Sequence, residues 1–171
     1  IEVLPLVMGI VNRTPDSFFE ASRSNPETVE IDTALRMLAD GADILDIGGE
    51  SSRPGSEYVS ARQEIQRIVP FIRSLREHCS VAISVDTRKA EVAAVAAEAG
   101  ADIVNDISAL RDDPEIAAVA KHYDMPLVLM HMAGTPATMQ NNPSYSDVVA
   151  EVERFLLDAA DRAVAAGIPA E

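Results

Sequence analysis

"DILDIGGESSRPG" (43–55) starts as a short apolar run and ends as a stretch crowded with hydrogen-bonding groups. A plain turn needs only one or two residues with special backbone preferences. Here two glycines, a glutamate, two serines, an arginine and a proline follow one another. The same transition recurs along the chain. Apolar runs rich in Val, Ile and Leu occupy 4–11, 43–47, 81–85, 103–107 and 126–130. They are strand-length and show little polar alternation, which predicts parallel strands buried on both faces.

Helical patterns separate these runs. Ile31, Ala34, Leu35 and Leu38 fall at helical spacing behind Asn25 as N-cap and Pro26 at the first helical position. Gly41 stands where a helix C-terminus needs a left-handed residue. Ser60 and Gln63 form a capping-box pair ahead of Ile65, Ile68, Val69, Ile72 and Leu75. The alanine-rich segment 89–99 closes at Gly100, and 113–123 and 146–166 read as two further helices. "GADILDIGG" at Gly41 and "GADIVNDIS" at Gly100 repeat one way of turning from helix into strand. Five βα units are expected, with no linker or internal boundary across 1–171.

Alternating parallel units fit an open doubly wound sheet or a closed (β/α)₈ barrel. Length favours the open sheet, because a barrel takes about 250 residues. The strand ends favour the barrel. Asn12 follows the first run, Gly48, Gly49, Glu50 and Arg53 the second, Asp86 and Thr87 the third, Asn105 and Asp106 the fourth, and His131 the fifth. In a barrel all five ends meet at one mouth, whereas an open sheet uses only the ends beside its switch point. Each residue also has a plain reading. Asp86 can cap the next helix, unless Thr87 does so and leaves it free. Asn105 and Asp106 can be loop formers. His131 can be a packed histidine, and Met130 and Met132 core or pocket wall.

Bulk properties narrow the partners. The formal net charge is −14, from 28 acidic and 14 basic residues. That argues against nucleic acid and anionic lipid, and an anionic substrate would need local positive charge. The single cysteine, Cys79, allows no intrachain disulfide framework and no thiolate zinc cluster. No apolar run reaches the ~20 residues of a membrane span. A soluble cytoplasmic protein is the expectation.

Five motifs together resemble dihydropteroate synthase. They are "MGIVNRTPDSF" (8–18), "DILDIGGESSRPG" (43–55), "ISVDTRKAEV" (83–92), "GADIVNDIS" (100–108) and "LVLMHMAGTPATMQ" (127–140), in that family's order and spacing. The resemblance implies a TIM barrel of which this chain supplies the first five βα units. It implies condensation of 6-hydroxymethyl-7,8-dihydropterin pyrophosphate with p-aminobenzoate, releasing pyrophosphate. Asn12 matches the asparagine that contacts pyrophosphate and Mg²⁺, the implied cofactor. Asp86 and Asn105 match residues that hydrogen-bond the pterin ring, with Met130 packed on it. Residues 13–25 match a first mobile loop, with Phe18 over the aminobenzoate ring. "GGESSRPG" matches a second, in which Ser52, Arg53 and Pro54 close over the substrates. Asn12, Arg53 and Asp86 are thus the implied catalytic set.

The sequence also departs from the family pattern. Arg13 stands where an apolar residue is usual, and "FEAS" (19–22), with Glu20, replaces "SDGG". The family's later motifs fall beyond Glu171, so 1–171 is expected to be part of a longer chain and not to fold alone as an active enzyme. The resemblance implies a homodimer for the full-length protein. The rivals are a pterin-dependent methyltransferase of the same superfamily, an inactive pterin-binding paralogue, and a complete five-stranded open-sheet protein.

Overall fold

The computed structural model describes residues 5–14, 26–51, 53 and 56–170, without the side chains of 26–28. Among the described residues five strands, β1 (Met8–Asn12), β2 (Ile44–Gly48), β3 (Ala82–Asp86), β4 (Ile103–Asp106) and β5 (Leu127–Leu129), alternate with five helices. These are α1 (Pro26–Ala39), α2 (Ala61–Arg76), α3 (Ala90–Ala99), α4 (Ile116–His122) and α5 (Val148–Ala165). All neighbouring strands pair in parallel, in the spatial order β1-β2-β3-β4-β5.

That order excludes the doubly wound alternative, in which strand order reverses at a switch point. Each unit steps the same way, as in a (β/α)₈ barrel. One face of the sheet meets the helices. Leu45, Ile47, Ile83, Val85 and Val104 are fully buried there against Ile68, Phe71, Ile72 and Leu75 of α2 and Val92, Ala93 and Ala96 of α3. The other face carries Met8, Ile10, Val128 and Met130, all exposed.

The helix ends follow from local chemistry. Ser60 and Gln63 form the complete capping box of α2. The recurring Gly-Ala-Asp has a physical meaning. Gly41 and Gly100 take φ values of 108° and 111°, and the two helices end in the same bonding pattern. Gly41 N donates to Leu38 O and Ala42 N to Met37 O, while Gly100 N donates to Ala97 O and Ala101 N to Ala96 O. These are Schellman motifs. The aspartate then clamps the neighbouring strand. Asp43 accepts from Val7 N at 2.8 Å, and Asp102 accepts from Ile83 N at 2.8 Å.

The elements are slightly shorter than the sequence patterns. β1 begins at Met8, three residues after Pro5, which has no N–H to offer a ladder. α4 begins at Ile116 because the turn before it is bonded three residues apart, with Ile116 N donating to Asp113 O and Ala117 N to Pro114 O, each at 3.2 Å. No described helix is long and apolar enough to cross a membrane.

Candidate functional site

The carboxyl ends of the strands lie side by side. The register pairs Asn12 with Gly48, Gly48 with Asp86, and Asp86 with Asn105. Residues 19 to 38 positions apart in the sequence therefore sit side by side in one row, on the face away from the helices. One step deeper, Ile10, Asp46, Ser84 and Ile103 form the next row. Strand pleating allows only alternate residues to face this way. Asn12, Asp46, Asp86 and Asn105 all have the correct parity.

Asp46 and Ser84 are buried. Asn105 Nδ2 donates to Asp46 Oδ2 at 3.1 Å, which ties the outer row to the inner one. Burial pushes the Asp46 carboxyl above its usual range, and Ser84 and Asn105 offset part of the rise. Asp46 Oδ1 and Ser84 Oγ nevertheless complete no hydrogen bond of normal geometry with the described residues. Asp86 is pushed to about 7, first by burial and then by the charge of Asp46. Glu64 and Glu50 add to the rise, while Arg88 opposes it. Its carboxylate accepts no hydrogen bond from a described residue, so its lone pairs are available to a ligand.

Gly48 leaves room for that carboxylate. A Cβ at Gly48 would lie 3.3 Å from Asp86 Oδ2 and 3.7 Å from Asn12 Oδ1. Gly49 serves packing on the other side. A Cβ there would lie 2.9 Å from both Glu64 Cγ and Ile68 Cγ2 of α2. Gly49→Ala is expected to cost about 1–3 kcal/mol by overpacking, read as a lower denaturation midpoint at an unchanged slope.

The two readings of Asp86 are resolved by its neighbours. Lys89 is the N-cap of α3 and provides no side-chain cap. Thr87 Oγ1 accepts from Lys89 N at 3.3 Å, and Asp113 accepts from Ala90 N at 2.7 Å. Asp86 is thus not the cap. Asp106 and Asn105 separate in the same way. Asp106 is fully buried and accepts from Ser108 N, Ser108 Oγ and Leu110 N. It holds a turn in which Ala109 and Leu110 have φ values of 52° and 63°. Asn105 faces the mouth.

The remaining sequence candidates distribute as follows. Met130 continues the inward parity just past β5 and is exposed. His131 turns outward, its ring edge-to-face with Phe155 of α5 at 4.8 Å, so it is a packed histidine. Met132 belongs to the buried interior. Arg53 has an exposed side chain and a backbone N that donates to Ser51 Oγ at 3.3 Å. Phe18, Glu20, Ser52 and Pro54 lie outside the described residues. Arg13 points into the helix layer. It pairs with Glu30 of α1, donates from Nε to Arg67 O of α2 at 3.2 Å, and lies over the Phe71 ring at 4.9 Å. An apolar position has become a charged one with its own counter-ion, away from the inner row.

Two groups beside the row, Glu64 and Lys89, carry no local sequence signature, and Lys89 links Glu64 to Glu50, which follows the end of β2. Glu50, Glu64 and Lys89 form one cluster, with Lys89 Nζ donating to Glu50 Oε2 at 2.5 Å and to Glu64 Oε2 at 2.6 Å. Glu64 is fully buried, and burial raises its carboxyl while Lys89 opposes the rise. The sequence contained one usable hint, which is also how Asp46 could have been found. A lone charge inside an otherwise apolar strand or helix face marks a buried partner.

A family model described as "Pterin binding enzyme" matches residues 8–171. The chain belongs to this family. It is 48% identical over 149 residues to dihydropteroate synthase from Synechocystis, covering 87% of this chain and 52% of that protein. It is 44% identical over 167 residues to dihydropteroate synthase from Escherichia coli, covering 98% and 59%. Among solved structures, the sulfonamide complex of Yersinia pestis dihydropteroate synthase superposes with a TM-score of 0.88 at 44% identity, covering 96% of this chain and 60% of that one. The Xanthomonas albilineans enzyme with 4-aminobenzoic acid gives 0.87 at 44%, covering 96% and 58%. This pterin binding enzyme chain thus spans between half and about three-fifths of the length of these relatives. Its five units correspond to the first part of their barrel.

Proposed function

We propose that the protein is a dihydropteroate synthase. The observation that carries this reading is the single register row of Asn12, Gly48, Asp86 and Asn105 at the strand ends, with Asp46 behind it. Relatives of that name at 43–48% identity support it. So does a Xanthomonas albilineans structure in complex with 7,8-dihydropteroate, at a TM-score of 0.82.

The chemistry suits the row. A pterin edge presents donors beside an acceptor. Asp86 as carboxylate accepts from the donors, and the Asn105 carboxamide answers the neighbouring position. Met130 lies against the ring. In the reaction the bond between the pterin methylene carbon and the pyrophosphate oxygen breaks, and its electron pair leaves with pyrophosphate. Positive charge develops on the pterin, next to Asp86. The arylamine nitrogen then bonds to that carbon and loses its proton to solvent. Arg53 supplies positive charge to the departing anion against a protein of net charge −14.

Mg²⁺ fits this site as a shared ion. The described residues hold no cluster of three His, Cys, Asp or Glu side chains that could cage a metal. Asn12 offers one exposed amide oxygen at the end of the row. Mg²⁺ commonly takes one or two protein oxygens and completes its shell with phosphate and water. When bound it would neutralise the charge of the leaving group. A cytoplasmic, homodimeric enzyme is part of the same reading, and sedimentation of the purified protein checks the dimer.

The test is pyrophosphate release from dihydropterin pyrophosphate, p-aminobenzoate and Mg²⁺. Release dependent on the arylamine supports the synthase. Pterin binding without release points instead to the inactive pterin-binding paralogue. Binding has a pH signature. Only ionised Asp86 accepts from the pterin, and its carboxyl titrates near 7. Pterin affinity is therefore expected to be flat above that pH and to fall about tenfold per pH unit below it. Calorimetric titration between pH 5 and 8.5 checks this.

A further inference from the structure

Glu50 joins three parts of the mouth. Its Oε1 accepts from Val59 N at 3.2 Å and from Arg88 Nη2 at 2.8 Å, and its Oε2 accepts from Lys89 Nζ at 2.5 Å. Val59 is where the loop after β2 returns to α2. Arg88 and Lys89 belong to the turn that begins at Asp86. Tyr58 covers the cluster, its ring centroid 4.7 Å from Lys89 Nζ. Inside the loop, Ser56 Oγ donates to Ser51 O at 2.6 Å and Ser56 N donates to Arg53 O at 3.1 Å. Arg53 N donates to Ser51 Oγ at 3.3 Å. The Arg53 backbone is thus held between the two ends that Glu50 closes.

Stability alone does not explain such a cluster. The side chains of Glu50, Arg88 and Lys89 are only 10%, 12% and 9% exposed, and Glu64 is fully buried. Desolvating this many charges cancels much of their attraction, and apolar packing of similar volume often stabilises as well. What the ions provide is fixed geometry. Hydrogen bonds set both the distance and the angle between the loop and the turn.

We propose that Glu50 is a positioning residue for the reaction, fixing Arg53 relative to the edge formed by Asp86 and Asn105. This rests on the dihydropteroate synthase reading. Glu50 itself touches no substrate. It sets the spacing between the groups that bind the ring and the group that receives the leaving anion.

The experiment is a double-mutant cycle of Glu50→Gln and Arg53→Ala, read as kcat/KM for pyrophosphate release. Binding of 6-hydroxymethyl-dihydropterin, which lacks the pyrophosphate, is measured alongside. Glu50→Gln is expected to lower kcat/KM by about 10- to 100-fold, as misplacement of a reacting group does. Pterin affinity should stay within about twofold, because Asp86 and Asn105 are unchanged. In the Arg53→Ala background Glu50→Gln should cost less than about twofold, because the two act as one unit. Glu50→Asp should restore part of the rate. Equal losses in both backgrounds overturn the proposal, as does an unchanged rate or a parallel loss of pterin affinity. If Glu50→Gln does not fold, Val59→Pro removes the N–H that closes the loop, while also fixing φ at about −65°, and should lower the rate by several-fold in an Arg53-dependent way. No Arg53-dependent loss there overturns the proposal. If the unsubstituted full-length protein releases no pyrophosphate, the synthase reading fails on its own. Glu50 is then judged by affinity for inorganic pyrophosphate with Mg²⁺. An Arg53-dependent loss in Glu50→Gln supports positioning, and no loss overturns it.

Discussion

Asp86→Asn is expected to weaken pterin binding by about 100-fold while making the protein more stable at pH 8. The two effects have one cause. The carboxylate accepts from pterin donors, and a hydrogen bond to a charged group contributes about 1.5–3 kcal/mol. An amide turned to accept with its oxygen also presents an NH₂ group to its surroundings, and it carries no charge to oppose the developing pterin cation. The stability gain follows from linkage. The Asp86 carboxyl rises from 3.8 to about 7 on folding, chiefly through burial. The folded state therefore binds more protons than the unfolded state between those values. Stability of the unsubstituted protein falls as pH rises through that window and stays low above it. A gap of about 3 at about 1.4 kcal/mol per unit bounds the penalty near 4 kcal/mol, and residual solvent contact reduces it to about 2–3 kcal/mol. Asn carries no such penalty. Denaturant melts at pH 8 should favour Asp86→Asn by that amount, and melts near pH 4 should show little difference. Equal stability at both values would mean that the carboxyl is ionised normally in the fold.

Lys89→Met is expected to be the most destabilising substitution in the site, by about 3–5 kcal/mol at pH 8. Lys89 Nζ is the cation on Glu64, which has no exposure to solvent and whose Oε1 has no hydrogen-bond partner among the described residues. Removing the ammonium leaves a buried carboxylate uncompensated. Glu50 is less affected because Arg88 still pairs with it at 2.8 Å. The sign of the pH dependence is fixed by Glu64. Its folded carboxyl is already raised by burial, and loss of Lys89 raises it further. The defect should be smaller at low pH, where Glu64 is protonated, and should grow as pH rises. Adding Glu64→Gln should recover most of the loss, since the buried charge is then gone. Urea melts of the single and double variants at pH 5 and pH 8 check both statements. A double variant as unstable as Lys89→Met would place the effect in packing of the lysine stem.

Much of the scaffold could be read locally. The capping box at Ser60 and Gln63 involves groups three residues apart, and the Gly41 and Gly100 ends satisfy helix carbonyls within five residues. Such features are decided by the chain within one turn, so the sequence shows them. The site was only half legible. Asp86 read equally well as a cap or as a free carboxylate, because its rival, Asp113, lies 23 residues beyond the Ala90 N–H that it accepts. His131 and Asn105 looked alike as polar strand ends. Phe155 of α5 packs one, and the opposite parity turns the other into the mouth. Asp46, Glu64 and Lys89 went unassigned because their partners lie 25–59 positions away.

The sequence by itself determined the alternation of strand and helix, where most elements begin and end, and that each strand finishes in polar residues. It determined this because hydrophobic period and cap chemistry act over a few residues. Only the tertiary structure decided that the strands run in sequential order, and that Asn12, Gly48, Asp86 and Asn105 share one row. Register between strands is set by the packing of distant helices and by clamps such as Asp102 on Ile83. A shift of one residue would turn every one of these side chains into the helix layer.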